Sequence, residues 1–201
     1  MKRSLWIFFL VMFVVLLAAC GSDTSDDAQN DEENPSLSGN ENEGNVKDEV
    51  VPISVDLKNS DGDNIGTVDL EQQFEGVKIT VEASNLSPGK HGFHIHEKGV
   101  CEAPDFKSAG GHFNPDDVSH GTEHGEEAHA GDLPNLSVDE NGEVQEEFVA
   151  EKVTLKSGEP NSLIGSNGTA FIIHKKADDN KSQPSGDAGD RVACGVISEM
   201  K

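Results

Sequence analysis

Basic residues are scarce in this chain. Of its 201 residues, 15 are Lys or Arg and 38 are Asp or Glu, which gives a formal net charge of -23. Such a chain has little with which to neutralise a run of phosphates, so its composition argues against a nucleic-acid binder. Tyrosine is absent, and Trp6 is the single tryptophan. A chain cleaved after its N-terminal segment would therefore absorb very weakly at 280 nm.

Helical patterning is also missing. Between positions 51 and 201 no stretch keeps apolar residues at helical spacing over three turns, and no segment repeats. Alternation of apolar and polar residues, or a short apolar run, marks the stretches 51–57, 65–70, 77–83, 144–155, 170–174 and 192–197. Short strands separated by turns predict an all-β fold, an antiparallel sandwich or barrel. Residues 97–131 and 175–190 break this rhythm, and loops of that length on a β scaffold are usually functional.

The N-terminal segment, residues 1–19, has the pattern of a secretory signal. Lys2 and Arg3 precede an unbroken apolar run of 15 residues, 5–19. As a helix this run would span roughly 22 Å, which is less than the ~30 Å of a bilayer core. The length therefore predicts a cleaved signal peptide rather than a resident transmembrane helix.

The apolar run ends in Leu-Ala-Ala-Cys at positions 17–20, which resembles a bacterial lipobox. That resemblance implies that Cys20 is lipidated and becomes the mature N-terminus. The protein would then be anchored to a bacterial cell membrane by its lipid, on the extracytoplasmic side. The alternative is an ordinary secretory signal that happens to contain a cysteine, and under either interpretation the protein leaves the cytoplasm.

An acidic segment, residues 20–50, separates the signal from the rest of the chain. Positions 21–50 hold ten acids, one base (Lys47) and four apolar residues. Such a segment cannot bury enough apolar surface to offset its ordering entropy, so we expect it to be disordered. Its charges repel and extend it. It would serve as a tether that holds a folded domain, residues 51–201, away from the membrane.

Histidine is abundant where the long loops are expected. Seven of the eight histidines lie between positions 91 and 129. His94 and His96 are two residues apart, so on a strand both rings project from one face. Clusters of imidazole and carboxylate groups suit copper and zinc, and the pattern indicates a metal site. A merely polar, His-rich loop is the alternative, but it does not explain His94, His96 and His174 on separate strands.

Five motifs, taken together and in order, resemble the copper–zinc superoxide dismutases. They are HGFHIHE at 91–97, GHFNP at 111–115, HAGDL at 129–133, IHKKADD at 173–179 and GDRVACGV at 189–196. The resemblance covers essentially all of residues 51–201. It implies an eight-stranded Greek-key β-barrel or sandwich with long metal-binding and electrostatic loops. It also implies an enzyme that dismutates superoxide to oxygen and hydrogen peroxide at a copper centre, with zinc as a structural metal.

The same resemblance assigns roles to individual residues. Copper is expected on His94, His96, His112 and His174. Zinc is expected on His112, His120, His129 and Asp132, so that His112 bridges the two metals and carries a proton in the reaction. The remaining assignments are Asp178 as a carboxylate that links His94 to His120, Arg191 as the guide for superoxide, and Cys101 with Cys194 as a disulfide.

Several alternatives stay open at this point. Arg191 could instead form a structural ion pair with Asp187 or Asp190, and the two cysteines could be free thiols. A lipid-anchored protein that binds copper and zinc without turning over superoxide would share nearly the same sequence. His124 in the metal loop matches no ligand position of the family, and nothing in the sequence predicts an oligomeric state.

Overall fold

The fold is built from short antiparallel strands, as the alternating pattern predicts. The computed structural model describes residues 51–121 and 128–198. The strands of these residues are β1 (Ile53–Asn59), β2 (Asn64–Gln72), β3 (Val77–Ala83), β4 (Gly89–His91), β5 (Phe93–His96), β6 (Leu136–Val138), β7 (Val144–Ala150), β8 (Thr169–His174) and β9 (Arg191–Ile197). Within the same residues, the one helical element is a 3-10 turn at Lys107–Ala109.

Seven of the strands form one antiparallel sheet in the order β5-β8-β9-β1-β2-β3-β7, and β4 pairs with β6 as a separate ribbon. Strands distant in sequence are neighbours in this order, as Greek-key connections require. The strand count agrees with the predicted eight, because β4 and β5 are one stretch of chain interrupted at Gly92. At Gly92 the backbone leaves the ladder: its N–H donates to the Lys176 carbonyl (2.7 Å), and its carbonyl accepts from the His174 N–H (2.8 Å).

The alternating side chains form the core. In β1 the residues Ile53, Val55 and Leu57 are buried while the intervening ones are exposed. The same core contains Phe93 of β5 and Phe171 of β8, whose rings stack with centroids 5.1 Å apart. Full burial of such a side chain contributes roughly 1.5–3 kcal/mol. The strands that carry the histidines are therefore anchored by their opposite face.

Two details differ from the pattern in the sequence. β7 ends at Ala150 rather than near position 155, because residues 151–152 turn. Val153 and Leu155 beyond that turn are still buried in the core, which is why the apolar pattern continues. The ribbon of β4 and β6 has three residues in each strand, which is too short for a visible period.

The two predicted loops contain no regular strand in the part of the chain that the structure describes. Loop 97–131 is held against β5, since the Ile95 N–H donates to Gly131 (2.9 Å) and the Phe113 N–H to Ile95 (2.8 Å). A disulfide joins Cys101 in this loop to Cys194 in β9, with their Cα atoms 5.7 Å apart. This confirms the predicted pairing.

The signal peptide, Cys20, the acidic tether and His124 lie outside the residues that the structure describes. Those it does describe all belong to one compact unit, Val46–Lys201. They include no helix that is long and apolar enough to cross a membrane.

Candidate metal centre

The candidate ligands come from β5, β8 and the long loop between β5 and β6. His94 and His96 occupy alternate positions of β5, opposite the core residues Phe93 and Ile95. His174 is the last residue of β8, the neighbour of β5 in the sheet. Isolated backbone bridges pair His94 with Asp132 and His96 with His112, and so hold the loop ligands beside β5.

These side chains form two groups that share one member. The first group is His94, His96, His112 and His174, and the second is His112, His120, His129 and Asp132. Within each group, one ligand atom per residue lies within 4.8 Å of the others. The structure therefore brings together all seven residues that the resemblance assigns to the metals, and His112 belongs to both groups.

In the first group each ring is held through one nitrogen and leaves the other without a partner. His94 Nε2 lies 2.6 Å from Asp178 Oδ2, His96 Nδ1 lies 3.0 Å from the Gly110 carbonyl, and His174 Nδ1 lies 3.1 Å from the Gly189 carbonyl. A carbonyl only accepts, so Nδ1 of His96 and of His174 carries the proton.

The opposite ring nitrogens of the first group are His94 Nδ1, His96 Nε2, His112 Nε2 and His174 Nε2, and all four are buried without a hydrogen-bond partner. A buried polar atom left in this way costs about 1–3 kcal/mol. Four such nitrogens that converge within a few ångströms fit a metal cation, and four imidazoles suit copper.

The second group is arranged around the carboxylate of Asp132. Its Oδ1 lies 2.7 Å from His112 Nδ1 and 3.2 Å from His129 Nδ1. Its Oδ2 lies 2.9 Å from His120 Nδ1, yet that nitrogen has no hydrogen-bond partner. Close approach without hydrogen-bonding geometry is what two ligands of one cation show. Three imidazoles and a carboxylate match the closed tetrahedral shell of a structural zinc.

Asp178 connects the two groups. Its Oδ2 lies 2.6 Å from His94 Nε2 in the first group, and its Oδ1 lies 3.1 Å from His120 Nε2 in the second. The residue is 5% exposed, although a carboxylate is rarely buried without partners. A carboxylate in this position fixes the orientation and tautomer of both rings.

The electrostatics divide the site in the same way. Burial, together with nearby charges, lowers the pKa of His96 to about 2, of His174 to about 3 and of His112 to about 4. Burial acts against the charged form of His120 as well, but the carboxylates of Asp132 and Asp178 outweigh it and raise the pKa of His120 to about 9. His96, His174 and His112 are thus neutral at pH 7 and ready for a metal, whereas His120 of the second group holds a proton that a metal must displace.

The guanidinium of Arg191 lies beside the first group. Nη1 donates to the Phe106 carbonyl and Nη2 to the Gly110 carbonyl, each at 2.7 Å. Burial lowers the pKa of Arg191, but a guanidinium stays charged at neutral pH. Among the ion pairs within residues 51–121 and 128–198, none involves Arg191, and Asp190 pairs with Lys175 at 4.0 Å. The structure therefore does not favour a structural ion pair for Arg191.

Other residues around the site carry no pattern that the sequence alone reveals. Buried His91 is not a ligand, because its ring nitrogens face the carbonyls of His174 (2.6 Å) and Ser87 (2.8 Å). Asn135 and Gln183 contact the backbone of site residues through their amide groups. Amides of this kind have no periodicity, and only the folded backbone shows what they contact.

The family profile described as "Copper/zinc superoxide dismutase (SODC)" matches residues 64–197. A superoxide dismutase [Cu-Zn] 1 of Aquifex aeolicus is 50% identical over 143 residues, which cover 71% of this chain and 85% of that protein.

Solved structures agree with the sequence comparison. The crystal structure of a SOD-like protein from Bacillus subtilis has a TM-score of 0.70 at 42% identity, covering 72% of this chain and 97% of that one. The Cu/Zn superoxide dismutase from Brucella abortus has a TM-score of 0.62 at 30% identity, covering 74% of this chain and all (100%) of that one. The fold, the two ligand groups and these likenesses lead to one conclusion: the chain belongs to the copper/zinc superoxide dismutase family.

Proposed function

We propose that this protein is a superoxide dismutase that holds copper in the first ligand group and zinc in the second. The observation that carries the proposal is the set of four buried, unpartnered imidazole nitrogens beside the guanidinium of Arg191. A purely structural polar cluster would pair these nitrogens with donors inside the protein. The proposal is supported by relatives named superoxide dismutase [Cu-Zn], among them the Aquifex aeolicus protein at 50% identity.

The residues of the first group supply a preformed set of buried nitrogens without hydrogen-bond partners. The carbonyls of Gly110 and Gly189 and the carboxylate of Asp178 fix the rings that would hold copper. Bound copper supplies one-electron chemistry, by which one superoxide loses an electron to give oxygen and a second gains one and takes up two protons to give hydrogen peroxide. The protein controls access to this chemistry and the protons for it.

His112 is suited to move a proton between these half-reactions. Its Nδ1 is fixed 2.7 Å from Asp132, while its Nε2 faces the first group without a partner. Burial and the neighbouring imidazoles lower the pKa of His112 to about 4, so at pH 7 the ring is neutral, and the Nδ1 contact with Asp132 leaves Nε2 as the nitrogen that can take up a proton. We therefore assign the proton-carrying role to His112 Nε2.

Arg191 is suited to hold the anionic substrate. The two backbone carbonyls keep its guanidinium in place without neutralising its charge, so that the cation stays available to superoxide. An anion-binding cation beside four histidines, in a chain of net charge -23, is a local positive region on an acidic protein.

We also propose that the mature protein begins at an acylated Cys20 and lies on the extracytoplasmic side of a bacterial membrane. The support is the lipobox-like end of the apolar run and the acidic tether that follows it. More than one acyl chain gives stable anchoring, because each buried CH₂ contributes about 0.8 kcal/mol. Cys20→Ala should yield soluble protein or unprocessed precursor. If mass spectrometry instead finds that the mature chain begins at another residue without modification, the proposed anchoring is wrong.

The competing function is binding of copper and zinc without turnover. The two functions predict the same metal content, so the test is superoxide decay in protein reconstituted with one copper and one zinc per chain. Catalytic decay of superoxide that is lost when the copper is removed supports the dismutase. Full metal loading with superoxide consumed only once per copper supports the binding protein.

A further inference from the structure

Gln183, in the loop of residues 175–190, makes a two-point contact with the backbone of His120. Its Oε1 accepts from the His120 N–H at 3.0 Å, and its Nε2 donates to the His120 carbonyl at 2.8 Å. The same nitrogen lies 3.3 Å from the carbonyl of Lys181 in its own loop. One side-chain amide thus satisfies both backbone groups of a residue in the second ligand group. Because that backbone is held, the His120 ring keeps its position between Asp132 and Asp178.

A reciprocal contact exists at the other end of the link between the two groups. Asn135 Oδ1 accepts from the Asp178 N–H at 2.7 Å, and Asn135 Nδ2 donates to the Asp178 carbonyl at 2.9 Å. His120 and Asp178 are themselves joined at 3.1 Å. A side-chain amide therefore holds the backbone of each residue in this buried pair: Gln183 holds His120, and Asn135 holds Asp178.

Around His120 the chain also packs tightly against the 175–190 loop. Gly121, the residue after His120, lies so near Asn180 that a Cβ atom at 121 would collide with the Asn180 carbonyl oxygen. A Cβ at Gly186 would meet the Asp178 carboxylate and come within 2.7 Å of His120 Nε2. The 175–190 loop therefore packs directly against His120 and Gly121 at these two points.

We propose that Gln183 is a positioning residue for zinc, through which zinc binding at His120 stabilises the loop of residues 175–190. This inference rests on the assignment of zinc to the second group. Asp178 lies near the start of the 175–190 loop, and Arg191 follows directly after its end. Zinc binding at His120 would therefore stabilise the segment that carries Asp178 and leads into Arg191. The coupling is reciprocal, because any contact that strengthens zinc binding is strengthened by zinc in turn.

The test compares zinc affinity and loop protection in the full mature chain, loaded with copper. Zinc affinity is measured by equilibrium competition with a chromogenic chelator, and loop protection by hydrogen exchange of peptides covering 175–190. In Gln183→Met both contacts with His120 are lost, and zinc affinity should fall about ten- to a hundred-fold, the usual effect of removing a contact that orients a ligand. Copper content and the copper electron paramagnetic resonance spectrum should not change.

Two further variants keep this test specific. Gln183→Glu can still accept from the His120 N–H but cannot donate to its carbonyl, so its zinc affinity should fall between those of the wild type and Gln183→Met. Gln145→Met is the matched control, because Gln145 is an exposed glutamine on β7 whose amide contacts only Glu82 among the described residues, at 2.8 Å. It should bind zinc as the wild type does.

The hydrogen-exchange result separates positioning from a merely structural role. Zinc should slow exchange of residues 175–190 in the wild type and in Gln145→Met, and should slow it little in Gln183→Met. Zinc affinity of Gln183→Met within two-fold of the wild type, with unchanged loop protection, overturns the inference and leaves the proposed function intact. A wild-type chain that binds no zinc overturns the metal assignment and the inference with it.

Discussion

His96 and Arg191 share one hydrogen-bond acceptor, the carbonyl oxygen of Gly110, at 3.0 Å from His96 Nδ1 and 2.7 Å from Arg191 Nη2. One backbone atom therefore fixes both a ring of the first ligand group and the cation beside it. Gly110 has φ 77°, a conformation that L side chains rarely adopt, and a Cβ there would collide with Glu97. Glycine is thus required to place this carbonyl.

The first prediction follows from that arrangement and concerns Arg191. Arg191→Lys should lower the rate of superoxide decay per bound copper about ten-fold, because an ammonium group cannot reach two carbonyls as a planar fork does. Arg191→Glu should lower it further, while the copper and zinc content, measured by mass spectrometry of the elements, stays at the wild-type level. Lys78→Glu is the control, because it makes the same charge change as Arg191→Glu but lies on β3, five strands from β5 in the sheet. It should leave the rate nearly unchanged.

The second prediction concerns ionic strength, where a local and a global effect compete. Residues 51–201 carry a net charge of -16, which repels superoxide, while Arg191 attracts it. At 0.15 M salt the Debye length is about 8 Å, so distant acids are screened more than a cation beside the site. The rate should fall as salt rises. A rate that climbs with salt would show that the acidity of the whole domain dominates.

The third prediction separates the two ligand groups by substitution. His174 belongs only to the first group and Asp132 only to the second. His174→Ala should remove copper and leave zinc, whereas Asp132→Asn should weaken zinc first. Metal content after dialysis against a chelator measures both. Loss of zinc with retention of copper in His174→Ala would contradict the assignment.

The fourth prediction uses the pKa differences between the groups. In the metal-free protein His120 is protonated below a pKa of about 9, so zinc must displace its proton, and the zinc affinity should fall about ten-fold per pH unit as pH drops. His96, His174 and His112 have pKa values of about 2, 3 and 4, so protons do not compete for these rings between pH 7 and pH 5.

On acidification across that range zinc should therefore leave before copper. Chelator competition at pH 5, 6 and 7 gives both affinities, and a pH indicator should detect proton release when zinc binds at pH 7. Equal pH dependence for the two metals would be inconsistent with this account.

The fifth prediction concerns the disulfide. Cys101 and Cys194 are 93 residues apart, and the chain-entropy model gives about 4–5 kcal/mol for closing such a loop. Cys101→Ser with Cys194→Ser should lower the melting temperature by about 10–15 °C. The dismutation rate per copper should fall as well, since Phe106, whose carbonyl holds Arg191, lies five residues after Cys101 in the loop that the disulfide anchors. An unchanged melting temperature in the double variant would refute the stabilising role.

The strands and the candidate ligands were predictable from the sequence for a physical reason. Alternation in β1 and β3 is visible because one face of each strand is buried, and His94 and His96 follow the same period of two on β5. The five motifs added the loop ligands, which have no period of their own. Local pattern and known motifs together therefore identified all seven residues that the structure brings into the two groups.

Contacts that depend on the folded backbone could not be predicted from the sequence. The carbonyls of Gly110 and Gly189 hold His96 and His174, but a backbone acceptor leaves no trace in residue type. The amide of Gln183 contacts His120 across 63 residues of chain. The end of β7 at Ala150 could not be predicted either, because Leu155 continues the apolar pattern after the strand has ended.

The proposed function depends above all on whether copper bound to this protein turns superoxide over. Superoxide decay is followed by stopped-flow absorbance in protein with one zinc per chain and copper added stepwise from zero to two equivalents. If copper in the first group is catalytic, the rate should rise linearly to one copper per chain and then level off. Each copper should consume many superoxide molecules and yield one oxygen and one hydrogen peroxide for every two. Consumption that stops at one superoxide per copper would contradict the account and identify a metal-binding protein.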